Sequence, residues 1–187
     1  MLSRRHVRVK VLQALYAYAN SGDTANQEQV KKQMIHNIYQ LYDLYLYLLL
    51  FLKEFGLFVA KYDEENKAPY LPNLQSRGHI LRLHDNPIMQ ALINSRTLAG
   101  KLDWKQVAWQ GDNDLLRKVF YDLKNTDYYQ DYIHSDEEQV YEDAEMLKHI
   151  LKHYTEQFSL ISQHMEEFHL NWHDDKKIAR QMVIKTI

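Results

Sequence analysis

The chain has 187 residues, 45% hydrophobic and 26% charged, with a formal net charge of -2; this fits one folded domain and excludes a disordered chain or a uniformly polybasic binder. Cysteine is absent, which removes disulfides, thiol catalysis and thiolate metal sites and fits a reducing compartment. With only 5 glycines and 3 prolines, the composition points to long helices and away from a turn-rich sandwich or barrel.

Met1-Leu2-Ser3-Arg4-Arg5 turns charged before any apolar run, so no secretory signal is read there. Ser3 is a good N-cap, and a helical pattern runs from about Arg4 to Ala19, ended by Asn20-Ser21-Gly22-Asp23. Val7, Val11, Ala14, Leu15 and Tyr18 fall on one face of it. A second helix starts near Gln27. Its stripe of Met34, Ile38, Leu41, Tyr45, Leu48, Leu52, Phe55 and Val59 alternates steps of four and three. Ile35, Tyr42, Leu44, Leu49 and Leu50 widen the stripe almost around the axis, which marks a central helix packed on several sides. Gly56 is a place where it could bend. The longest apolar run, Leu44 to Leu52, is too short to span a bilayer. The expectation is a soluble, cytoplasmic protein with no membrane role.

From Lys61 to His79 the pattern dissolves, and Asp63-Glu64-Glu65-Asn66 with Pro69 and Pro72 reads as an exposed connection. The region near 61–110 is therefore expected to be an insertion or linker within a single domain spanning 1–187. Asp85-Asn86-Pro87 is a strong helix start and predicts a short helix to about Ser95. Gly111-Asp112-Asn113-Asp114 opens another to about Lys124, with Leu115, Val119, Phe120 and Leu123 on one side. Ser135 and Glu138 have capping-box spacing. Behind them Val140, Ala144, Leu147, Leu151, Tyr154, Phe158, Ile161, Met165, Phe168 and Trp172 predict one long helix with an unbroken seam, Leu151 and Phe158 buried within it. A last helix begins near Asp174, carries Ile178, Met182 and Val183, and runs to Ile187 without a cap. This end predicts that the natural protein continues. The fold class expected is all-α: a helical bundle with a long central apolar helix and a long C-terminal seam helix.

Chemistry-bearing residues concentrate on the first helix. Arg4, Arg5, Arg8 and Lys10 crowd its opening turns, where the helix dipole favours acidic side chains and makes arginine costly. On a wheel of about 100° per residue, Arg4 and Arg8 share an arc with Val11, Leu12 and Leu15. The first turn must therefore project beyond the core or meet an acidic partner. Free backbone N–H groups with arginines make a phosphate site; Gln13 can bond a base edge and Tyr16 can stack on an unpaired base. Charge alone favours a solvated basic turn, and Tyr16 alone a rim core residue, but conflicts with local rules concentrate at functional sites and move the reading toward function.

A second feature is acidic. No Lys or Arg occurs from Asn125 to Leu147, while Asp127, Asp131, Asp136, Glu137, Glu138, Glu142, Asp143 and Glu145 do. Glu138, Glu142 and Glu145 are candidates for a face that docks a basic protein, against the alternative of a solvated helix surface. His149 and His153, four apart, lack a third metal ligand and the surrounding motif of a metalloprotease, so they read as surface histidines. No nucleophile elbow, phosphate-binding loop or dinucleotide fingerprint occurs, and no enzyme, metal or cofactor is expected.

The stretch Arg4-Arg5-His6-Val7-Arg8-Val9-Lys10-Val11-Leu12-Gln13-Ala14-Leu15-Tyr16 resembles the opening of NusB transcription antitermination factors, an Arg-rich helix running into a Val/Leu-Gln-Ala-Leu-Tyr string. The chain looks most like the N-terminal part of the longer Bacteroidetes-type variants. The resemblance implies an all-helical protein that binds boxA RNA of ribosomal leaders together with NusE, a small-subunit ribosomal protein. It also implies joining RNA polymerase to suppress premature transcription termination, without catalysis or a cofactor. Carried over onto matching positions, the RNA site is Arg4, Arg5 and Arg8, with Lys10, Gln13 and Tyr16 as neighbours. The match covers about the first eighteen residues, so no residue of a NusE interface is carried over. A protein–protein adaptor without RNA binding is the alternative from another class.

Overall fold

The computed structural model describes residues 4–21, 26–66, 74–102, 109, 113–135, 140–169 and 171–187. Among them the structure is all-helical, with no strand. The helices are α1 (Arg4–Asn20), α2 (Gln27–Glu65), α3 (Leu74–Asp85), α4 (Pro87–Ile93), α5 (Arg96–Leu102), α6 (Asn113–Lys124), α7 (Asp127–His134), α8 (Val140–Glu156), α9 (Ser159–Phe168) and α10 (Trp172–Ile184).

The 39-residue α2 organises the bundle. Every residue from Leu46 to Leu52 is buried, which a helix achieves only when neighbours cover it on all sides. Those neighbours are α1, α3, α4, α6, α8 and α10. The all-round apolar pattern of the sequence thus has its expected meaning. Asn26 caps the helix by accepting from the Glu28 N–H at 2.9 Å. The helix continues through Gly56, where a Cβ would sit 2.5 Å from the Met89 sulfur. The glycine serves the close approach of α4, rather than a bend.

Two expectations about helix boundaries are corrected. The segment from Lys61 to His79 is not one open connection: α2 persists to Glu65, and α3 starts at Leu74. Nor is the seam one helix. It is three, broken at Phe158 and His169, both with extended backbone (φ -91°, ψ 102° and φ -135°, ψ 98°). Just before the first break, the Thr155 hydroxyl donates to the Leu151 carbonyl at 2.6 Å, a back-bond that loosens a helix. Arg180 reaches across from α10 to pair with Glu156 at the same point. Leu147, Leu151, Tyr154, Ile161, Met165 and Trp172 are all buried, because α8, α9 and α10 each turn the same stripe to one core. Leu151 is buried as predicted; Phe158 is only half-buried, and Val140 and Phe168 at the seam's ends are exposed.

The short helix after Asn86 forms as predicted, with the Asn86 side chain accepting from Ile88 and Met89 N–H groups at 2.9 and 3.1 Å. Helix α6 buries Leu115, Val119, Phe120 and Leu123, and Leu116 with them. The expected caps at Ser3 and at Ser135–Glu138 fall on or beside residues outside the described ones.

Candidate nucleic-acid interface

Helix α1 packs on α2 and is tied to α10. Its inner line is His6, Lys10, Val11 and Ala14. The face expected from Val7, Val11, Ala14, Leu15 and Tyr18 is not the packed one. Val7, Leu15 and Tyr18 are exposed, and Leu12 is 68% and Leu15 58% exposed. The helix is rotated so that its packing centres on a charge.

That charge is Lys10. Its Nζ lies 2.6 and 2.8 Å from the two Asp175 carboxylate oxygens, with the side chains only 5% and 4% exposed. Lys10 is therefore corrected as a site residue. Its ammonium is spent on an internal ion pair and does not share the outer surface with the arginines. The acidic partner expected for the first-turn arginines exists, but it serves Lys10. Asp175 sits in the first turn of α10, where a carboxylate also suits the helix dipole.

Arg4, Arg5, Arg8, Gln13 and Tyr16 all face outward. At about 100° and 1.5 Å per residue, they occupy one half of the α1 cylinder over about 18 Å of its length. Tyr16, 73% exposed, stands one turn beyond Leu12 and three to four turns from Arg4. The first turn of α1 contains no acidic residue, so its N–H groups and its arginines add as positive charge at one end. The structure brings five of the six predicted residues onto one surface, cationic at the N-terminus and aromatic further along.

The acidic candidates are arranged differently from the expected open face. Glu138 lies outside the described residues. Glu142 accepts from Arg82 Nη2 at 2.9 Å, and Glu145 pairs with Lys148 at 2.9 Å. Arg82 also donates to the Ser135 carbonyl at 3.0 Å and to that of Tyr132, and its guanidinium lies 4.3 Å from the centre of the Tyr132 ring. Tyr132 in turn donates to Asp143 at 2.8 Å. This network locks α3, α7 and α8 together, and Glu142 belongs to it.

His149 and His153 stack with ring centres 5.7 Å apart, and His149 stacks on Tyr128 at 4.2 Å. Partial burial, then the neighbouring His153 and Lys152, push the His149 pKa down. Among the described residues no group of three His, Cys, Asp or Glu side chains could hold a metal ion, and no helix is long and apolar enough to cross a membrane.

Sequence reading missed the Lys10–Asp175 pair, because its members lie 165 positions apart and Lys10 reads as one more basic residue. It also missed α7 and the groove that α7 forms with α8. A signal for it was present: Thr126 followed by Asp127 is a capped helix start, and Tyr128, Tyr129 and Tyr132 repeat at helical spacing.

No protein-family model, curated protein or solved structure matches this chain.

Proposed function

We propose that the chain is an RNA-binding transcription antitermination factor of the NusB kind, acting in the cytoplasm by binding and not by catalysis. The observation that carries the reading is the outer half of α1. Three arginines sit at a helix N-terminus with no acidic residue in its first turn, and an exposed glutamine and tyrosine follow on the same side. Arginines at free N–H groups hold phosphates, and an exposed ring takes an unstacked base. The RNA is single-stranded, of the boxA type, because stacking on Tyr16 requires an unpaired base. NusE is the protein partner, and RNA polymerase the machine that the complex joins.

The test is RNA binding by the chain with and without NusE. A labelled boxA RNA is expected to bind the chain alone, and NusE to tighten it, since two ligands that favour one complex assist each other reciprocally. An RNA that binds neither the chain nor its mixture with NusE overturns the reading. The exposed apolar side chains of α1, Leu12 and Leu15 above all, favour a second reading, a protein–protein adaptor, because such patches mark interaction surfaces. Protein capture through α1 with no RNA affinity would establish it.

A further inference from the structure

Helices α7 and α8 leave a groove between them, an open cavity of about 420 Å³. Its floor is apolar and closed: Tyr132 and Met146 are buried. Two tyrosines wall it and face solvent, Tyr128 and Tyr141, the latter 70% exposed. Asp131, Glu142 and Glu145 line it as well. Exposed aromatic rings thus stand beside carboxylates over a buried floor, in a stretch that carries no lysine or arginine from Asn125 to Leu147.

The molecule already shows what this combination holds. On the inner side, the Arg82 guanidinium lies over the Tyr132 ring, 4.3 Å from its centre, while Nη2 donates to Glu142 at 2.9 Å. Guanidinium is suited to both contacts at once, because it is planar, weakly hydrated and forked. On the outer side the same elements recur, held only by near neighbours: Glu145 pairs with Lys148 of its own helix at 2.9 Å, and one face of Tyr128 lies on His149. Asp131 has no ion pair or side-chain hydrogen bond among the described residues, and Tyr128 and Tyr141 supply rings. Burial, then the Glu145 carboxylate, raises the Tyr128 hydroxyl pKa, so that wall stays a neutral ring at physiological pH.

We infer that the α7–α8 groove is a docking site for an arginine side chain of a basic protein segment, stacked on Tyr141 and paired with Asp131, with Glu145 exchanging its surface partner Lys148 for it. The charge of the groove excludes the RNA that α1 attracts, so the two sites divide the molecule: phosphates at one, a cationic protein at the other. The inference rests on the partner half of the function proposed above and not on its RNA half.

The test uses the full chain and a fluorescein-labelled peptide of alternating Gly and Arg, with Lys-for-Arg and Glu-for-Arg versions, read by anisotropy. The Arg peptide is expected to bind, the Lys peptide several-fold more weakly for want of stacking, and the Glu peptide not at all. Tyr141→Ala, and separately Asp131→Asn with Glu145→Gln, should each weaken the Arg peptide by about five- to tenfold. Glu64→Gln with Glu65→Gln on α2, an equal change in net charge, should leave it within about twofold. A control as damaging as the groove variants means general charge attraction and overturns the site, as does equal binding of the Arg and Lys peptides. A labelled single-stranded RNA should be unaffected by the groove variants; loss of its binding would make the groove a nucleic-acid surface and overturn the proposal. If the Arg peptide binds and NusE does not, the proposed partner falls while the groove stands.

Discussion

Replacing Lys10 with methionine keeps the bulk of the side chain and leaves the Asp175 carboxylate buried without its partner. Both side chains are about 95% removed from solvent, at 5% and 4% exposure. Breaking a buried pair from one side costs about 3–5 kcal/mol, because the remaining charge has lost its compensation. Set against this, α1 has little else to hold it: Val7, Leu12, Leu15 and Tyr18 are exposed, and only Val11, Ala14 and His6 accompany Lys10 on the packed line. The loss falls on a contact with few buried apolar side chains, and α1 should undock locally while α2 to α10 remain folded. Hydrogen exchange reads this directly. In Lys10→Met, amides on the inner line of α1 should exchange at least about a hundredfold faster, since every 1.4 kcal/mol is tenfold. Amides of Leu46 to Leu52 should change little. Lys10→Met combined with Asp175→Leu, which removes both charges, should recover most of the protection. Wild-type protection of α1 in the single variant would refute the claim that this pair docks the helix.

Three further outcomes follow from the core. Leu151→Ala should lower unfolding free energy by about 2–5 kcal/mol in a urea melt, as a large-to-small change at a fully buried site. Gly56→Ala brings a methyl within 2.5 Å of the Met89 sulfur; overpacking of about 1–3 kcal/mol should outweigh a helix-propensity gain of about 1 kcal/mol, and Met89→Ala in the same chain should reverse the sign of the Gly56→Ala effect. Burial above all raises the hydroxyl pKa values of Tyr129, Tyr132 and Tyr154 in the folded state. Because a raised folded pKa favours the protonated form, this stability is fully present below the unfolded value of about 10 and is lost as pH rises above it. Absorbance of tyrosinate should then appear for these residues only together with loss of helical circular dichroism.

The bundle was legible where local chemistry and burial point the same way. Asn86-Pro87 announces α4 because the capping side chain and the ring lie side by side in sequence. The widened stripe of α2 announces a central helix because burial on all sides leaves no polar face. The seam behind Val140 misleads for a physical reason. Four-three spacing reports which side chains meet the core, and α8, α9 and α10 keep it across two breaks that involve neither glycine nor proline. The break at Phe158 lies beside the Thr155 back-bond and the ion pair of Glu156 with Arg180, a residue on another helix, and the four-three spacing reports neither. The same holds at α1. Spacing alone puts Arg4 and Arg8 on the arc of Val11, Leu12 and Leu15, and only their charge says that they must clear the core; the pairing of Lys10 with Asp175, 165 positions away, is a long-range event that no local pattern contains.

The RNA reading stands or falls with the outer arginines of α1. Affinity for a boxA-type single strand, measured by anisotropy from low to high salt, should fall with a log–log slope of about -2, as three phosphate contacts on a single strand require. Arg4→Ala with Arg8→Ala should flatten the slope to about -0.7, one remaining contact, with helical circular dichroism unchanged. A slope that is the same with and without the two arginines would contradict the account.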